Sequence, residues 1–336
     1  MSDPNTHPRA AGQTASRLDN ETRSRTDLYA EITNKVIAML EAGVVPWRSP
    51  ILGQSAIGSP KNLLSGKPYR GINVFLLAYH AFAKGYESSY WVTFQQASDS
   101  GGKVKRGERS SMVIFWKPLE AVDRQTGEVK ETFVLRYYNV FNASQCEGLP
   151  VPDAPQFTPT DFDSVDAAEA IIQGYRDGPE FKLGGTRAFY TPSIDTVTLP
   201  KPERFSSAAE CYSTTFHEIG HSTGHSKRLN RQLGMKPSVF GSPDYSREEL
   251  IAEMCAAFLC GEAKIDPAVI KNQAAYVSGW LGKLKGDSRL IISAGGAAQR
   301  AADWIRGVRS PTHATQTTDS AEGDSLDDQE PDGLER

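Results

Sequence analysis

Cysteine is scarce: four residues in 336, at 146, 211, 255 and 260, with no Cys-x-x-Cys pair. That scarcity excludes a disulfide-stapled scaffold and a cysteine metal cage, and it fits a reducing compartment. Cys211, Cys255 and Cys260 are expected to sit inside as small apolar side chains. Long apolar runs are also missing, so no segment qualifies as a membrane-spanning helix. Residues 1–26 are polar, carry Pro4, Pro8 and Gly12, and lack the apolar stretch of a secretory leader. A cytoplasmic location with no membrane partner is therefore expected.

A strong excess of one charge is absent too, the formal net charge being −4. The distribution says more than the sum. Residues 1–142 hold 18 Lys and Arg against 13 Asp and Glu, residues 143–310 hold 18 against 20, and residues 311–336 hold 1 against 8. The first part is basic and the end strongly acidic. Residues 310–336 have too little apolar content to fold and read as a disordered tail; residues 1–26 read as a disordered N-terminus.

What remains has ordinary globular composition, 39% apolar and 23% charged, and enough length for two cores. Leu28, Ile32, Val36, Met39 and Leu40 recur at helical spacing, with Gly43 as the stop. A second helix is predicted from about Asn73 to Ala83, and a short element opens at Tyr90. Residues 111–116 and 133–141 read as strands joined by a turn at 123–127. The reading is thus α+β in two domains, 27–142 and 163–309, joined by a Pro-rich linker over 143–162. In the second domain a helix over 166–175 precedes a hairpin over 181–190 that turns at Gly184-Gly185, and then a strand at 195–199. Long helices follow, the first capped by Ser206 or Ser207.

One spacing dictates chemistry. His217 and His221 lie four residues apart, so on a helix both imidazoles leave the same face. Glu218 follows the first directly, giving His-Glu-x-x-His, the arrangement of zinc peptidases in which the glutamate is a general base toward water at the metal. A catalytic zinc takes three protein ligands. His225 is one candidate, but Gly224 interrupts the helix before it. Glu249 and Glu253, at i and i+4 on a later helix, are better placed, with Glu249 as the ligand and Glu253 holding a ligand histidine; the reverse order is the alternative. Tyr190 and Tyr212 are possible oxyanion donors. Lys227, Arg228 and Arg231 either steer an anionic group or form a solvated face.

The basic half interleaves cations with aromatics. Trp47, Tyr69, Arg70, Trp91, Lys103, Lys105, Arg106 and Arg109 suit single-stranded nucleic acid, where cations follow phosphates and flat rings stack unpaired bases. The competing reading puts the aromatics in a core and the cations on a solubilising loop.

Pro46-Trp47, Asn62-x-x-Ser65-Gly66-x-x-Tyr69-Arg70-Gly71-x-Asn73, Trp91-x-Thr93-Phe94-x-Gln96 and Gly102-x-Val104-x-x-Gly107-Glu108 resemble the N-terminal domain of ArdC-type plasmid antirestriction proteins, shared with conjugative-plasmid primases. His217-Glu218-x-x-His221-x-Thr223-Gly224-His225-x-x-Arg228-Leu229-x-Arg231 and Glu248-Glu249-Leu250-x-Ala252-Glu253 are similar to the zincin-like metallopeptidase domain that accompanies it. The likeness covers about residues 26–307. It implies a single-stranded-DNA-binding domain, a Zn2+ peptidase-type site, and protection of incoming plasmid DNA from host restriction during conjugation. Alternatives are a metallopeptidase whose first domain recognises a protein substrate, such as a host restriction-system protein or another peptide, and a DNA-binding module with a structural zinc.

Overall fold

The computed structural model describes residues 25–48, 58–122, 129–152, 161–231, 243–265 and 273–308. The expected disordered termini, apart from residues 25 and 26, lie outside these residues, as do the 123–127 turn and 153–160 of the expected linker.

The first helix, α1 (Arg25–Glu41), buries Ile32, Val36, Met39 and Leu40 at the spacing that identified it. The chain then reaches β1 (Lys61–Asn62), α2 (Ile72–Lys84), β2 (Tyr90–Thr93) and α3 (Phe94–Asp99). Thr93 and Gln96 form a capping box that starts α3, Thr93 Oγ1 accepting from the Gln96 N–H at 3.1 Å. Two long strands follow β3 (Lys103–Val104): β4 (Ser111–Val122) and β5 (Val129–Asn142). Both exceed the predicted lengths, since pairing continues outward to Val122 and Val129. The sheet order is β1-β2-β5-β4. Asn73 of α2 holds β4 at both backbone groups of Ile114, its amide donating at 2.6 Å and its carbonyl accepting at 2.8 Å.

The chain does not leave this first unit at Asn142. Asn142 caps a 3₁₀ turn at Ala143–Gln145, which folds β6 (Cys146–Glu147) back onto β3. Part of the expected linker therefore belongs to the first sheet region.

The second unit opens with α4 (Asp161–Gly174) and a small sheet of β7 (Glu180–Leu183), β8 (Phe189–Thr191) and β9 (Thr196–Leu199). The hairpin expected over 181–190 does not form. β9 lies between the other two, parallel to β7 and antiparallel to β8. The cause is burial: Val197 and Leu199 make β9 the apolar strand, which takes the centre, while β7 is exposed along its length. Four helices complete the fold: α5 (Ala208–Ser222), α6 (Pro243–Ala263), α7 (Gln273–Gly286) and α8 (Leu290–Ile305).

The architecture is α+β with two domains, yet one apolar cluster runs through both. Ile32, Leu40, Trp47 and Phe75 of the first segment share it with Phe216, Leu250, Met254 and Ile291 of the second. Phe75 stacks on Phe258 with ring centroids 4.9 Å apart. At the junction the Gly71 N–H donates to Gln299 Oε1 at 3.1 Å, and a Cβ on Gly295 would lie 3.0 Å from the Ile72 nitrogen. A side chain there would press on the Ile72 backbone, so glycine suits that approach.

Helices α5 and α6 meet at Gly220, where a Cβ would stand 3.3 Å from both Cα and O of Ala252. Gly220→Val is expected to lower stability by about 1–3 kcal/mol through overpacking. Gly279→Ala, on an exposed face of α7 with open space around it, is expected to raise stability by up to ~1 kcal/mol. Urea midpoints of both variants check the pair.

Candidate metal centre

Helix α5 starts where Ser207 accepts a hydrogen bond from the Glu210 N–H at 3.1 Å. Ser206 donates to the Glu210 carboxylate from both its N–H, at 2.7 Å, and its hydroxyl, at 2.6 Å. Phe216 and Ile219 are fully buried and fix the rotation of the helix. His217 and His221 then point toward α6, their Nε2 atoms 3.1 Å apart. From α6, Glu249 brings Oε2 to 3.6 Å from His217 Nε2 and Oε1 to 3.6 Å from His221 Nε2.

These three residues offer ligand atoms all within 4.8 Å of one another. Donors about 2.0–2.1 Å from one tetrahedral centre lie roughly 3.4 Å apart, so the spacing suits a divalent ion. Two imidazoles and a carboxylate are also a metal-binding donor set by chemistry. Glu218 is buried beside the pair, close enough to His221 for its charge to be felt.

The electrostatics follow from burial opposed by neighbours. Burial raises the Glu249 carboxyl, but His217, His221 and a hydrogen bond from Tyr245 outweigh it and hold its pKa at about 2. Burial lowers His221, yet Glu248, Glu249 and Glu218 raise it above its ordinary value. Tyr245 is pushed up to about 12 by burial and by the charges of Glu249 and Glu218.

Sequence reading missed Glu248 and Tyr245. Glu248 Oε1 lies 3.6 Å from His221 Nδ1 and takes hydrogen bonds from Arg231 Nη2 at 2.7 Å and to its other oxygen from Nε at 3.1 Å. Glu248, not Glu253, therefore stands behind a histidine of the donor group. Glu253 Oε2 instead receives Trp47 Nε1 at 2.9 Å, Arg48 Nε at 3.4 Å and the Tyr276 hydroxyl. It stands outside the donor group, bound to the first segment. Tyr245 sits one turn before Glu249, a spacing that places both on one helix face and was the available signal.

Arg228 and Arg231 are neither steering groups nor a solvated face. Arg231 also bonds Thr223 Oγ1 at 2.7 Å and the Gly220 carbonyl at 3.0 Å, tying the end of α5 to α6. Buried Arg228 donates to the Ser222 carbonyl at 2.7 Å and to the Asp195 carboxylate. Tyr190 and Tyr212 are committed elsewhere, to Asp195 and Glu169. His225 lies against Asp195, its Nδ1 4.0 Å from the carboxylate, and is not in the donor group.

The residues expected to bind nucleic acid divide three ways. Trp47 and Trp91 are 1% and 0% exposed, so neither ring has a face for a base; both complete apolar clusters. Lys103, Lys105, Arg106 and Arg109 are exposed on β3 and the turn after it, with Lys103 paired to Glu147 and Lys105 donating to the Ser144 carbonyl. Tyr69 and Arg70 line a large groove between the two domains.

Comparison with known proteins gives two family matches: residues 26–141 with the N-terminal domain of anti-restriction factor ArdC, and residues 166–298 with a zincin-like metallopeptidase. The chain is similar to the crystal structures of the antirestriction protein ArdC from plasmid R388. The metal-free form gives 38% identity and a TM-score of 0.67 over 83% of this chain and 96% of that one. The Mn(II)-bound form gives 36%, 0.66, and 83% and 97%. It is 33% identical to the uncharacterised protein y4eC of Sinorhizobium fredii, over 90% of this chain and 99% of that protein. It is also 33% identical to an Escherichia coli DNA primase TraC, covering 86% of this chain but 20% of the primase.

Metal analysis after dialysis is expected to separate the glutamates. Glu249→Ala should abolish retention, Glu248→Gln should weaken affinity about 10–100-fold as loss of a supporting contact does, and Glu253→Gln should leave metal content unchanged. Asp195 gives a pH test. Burial raises its carboxyl, but bonds from Arg228 and Tyr190 outweigh this and hold it below the usual carboxylate range. A depressed carboxylate contributes stability above its unfolded pKa and loses it as pH falls through the folded one. Asp195→Asn should therefore destabilise the protein at neutral pH and flatten the acid limb of its thermal stability profile below about pH 4.

Proposed function

This chain belongs to the ArdC antirestriction family, and from that premise we propose that it binds single-stranded DNA in the cytoplasm and protects incoming plasmid DNA from host restriction during conjugation, using a zinc peptidase-type site. The observation that carries the reading is the convergence of His217, His221 and Glu249 beside Glu218 in a chain whose two parts match the two ArdC-type domains in order. The likeness to a DNA primase, of which the chain spans 20%, supports a role on DNA.

His217, His221 and Glu249 would hold the ion, and zinc is proposed because two imidazoles with one glutamate form a ligand set of catalytic zinc. A bound divalent cation supplies Lewis acidity that polarises a carbonyl and lowers the pKa of water. Glu218, held against the histidines, takes the proton from the attacking water and delivers it to the departing amine. Tyr245 keeps its proton at neutral pH and steadies Glu249 by hydrogen bond. Glu248, anchored by Arg231, keeps His221 oriented. The substrate class is a peptide bond, with a host restriction-system protein as the candidate.

Glu218→Gln removes the base and keeps the ligands. Its metal content should match wild type, while hydrolysis of a peptide library should fall about 10²–10⁴-fold. Protection of transferred DNA in a restricting recipient should fall with it. Full protection by Glu218→Gln would detach antirestriction from hydrolysis.

A further inference from the structure

A groove with a cavity of about 1500 Å³ runs between the β4–β5 hairpin and α8. That exceeds the roughly 300–1,000 Å³ of small-molecule pockets and suits a segment of polymer. Both domains line it. The first contributes Arg70, Phe115 and Tyr138, and the second Arg176, Arg300 and Trp304.

The charges in the groove are unequal in availability. Arg70 is paired with Asp303, and Arg306 at the groove's end with Glu262. Arg176 and Arg300 are different: among the described residues neither guanidinium makes a hydrogen bond or an ion pair. Arg300 is exposed at the groove, where partial desolvation by its neighbours and the like charges of Arg231 and Arg247 act against its own. A cation so placed is stabilised by an anion from outside.

The hairpin supplies a flat surface opposite. Phe115 and Tyr138 stack with centroids 4.5 Å apart and planes 2° from parallel, and Tyr138 is 50% exposed. An exposed ring in the same groove as unpaired arginines suits a strand with both π faces and phosphates. Bases in a duplex are already stacked and paired, so the match is to a single strand.

We propose that single-stranded nucleic acid lies in this groove, with a base on the Tyr138–Phe115 stack and phosphates on Arg300 and Arg176, so that both domains form one binding site. The proposal rests on the single-stranded-DNA reading given above and adds to its first-domain residues contacts from the second domain across the groove.

Fluorescence anisotropy with a labelled oligothymidylate, across a salt series, tests it on the full chain. Tyr138→Leu is expected to weaken binding about tenfold, within the range for loss of one stacked base. Arg300→Gln and Arg176→Gln should each reduce the slope of log affinity against log salt by about one, the mark of a lost phosphate contact. A duplex of the same length should compete poorly. Photocrosslinking of a bromodeoxyuridine oligonucleotide to the wild-type chain should label the β4–β5 hairpin or α8, and decides the matter even if a variant fails to fold. Wild-type affinity and slope in all three folded variants, or crosslinks confined to Lys103–Arg109, would overturn the groove while leaving DNA binding intact. No binding by the wild-type chain at any salt would overturn both.

Discussion

Helices α5 and α6 lie so close at Gly220 that even a methyl group there would press on the backbone of Ala252, and the candidate metal centre depends on that approach. Two histidines on one helix can hold only part of a coordination shell, and the third donor must come from a separate element. Glu249 reaches Nε2 of both histidines because Gly220 lets the backbones come together and Arg231 ties them, bonding Glu248 on α6 as well as Thr223 and the Gly220 carbonyl on α5. The desolvation of three carboxylates in this region is offset by specific cations and donors. Arg231 serves Glu248, the two histidines serve Glu249, and Trp47, Arg48 and Tyr276 serve Glu253. Glu248 and Glu249 thus have partners that hold their carboxyls below the ordinary range, and Glu249 faces the two histidines.

The two domains are joined by more than a linker. Trp47 leaves the first segment to meet Glu253, four residues after Glu249 on α6, and fills the shared core edge-on to Trp280. Arg70 meets Asp303, Gly71 meets Gln299, and Phe75 meets Phe258. Residues that read as a nucleic-acid signature therefore include two, Trp47 and Arg70, that hold the joint. The groove formed by that joint is the place where a strand bound to the first domain would also touch α8, which packs against the same helix that carries Glu249. The joint gives a physical reason for one chain to combine the two proposed activities.

Periodicity alone was enough to determine much of the molecule. Four-residue spacing in α5 puts His217 and His221 on one face whatever surrounds the helix, and the same spacing puts Glu249 and Glu253 together on α6. Alternation defined the β4–β5 pair, and Gly and Pro marked the breaks, because these signals arise from the backbone and from nearest neighbours. The choice among Glu248, Glu249 and Glu253 belonged to tertiary structure: helix rotation, set by Phe216, Ile219 and Leu250 packing, decides which acid faces the histidines. So did the fate of Trp47 and Trp91, since a ring that would stack on a base and a ring that fills a core have the same composition. The strand order β7-β9-β8 was likewise decided by which strand could bury most apolar surface, a comparison among strands that no single segment carries. Local spacing thus determined the donors available, and the packing of distant segments decided which of them meet.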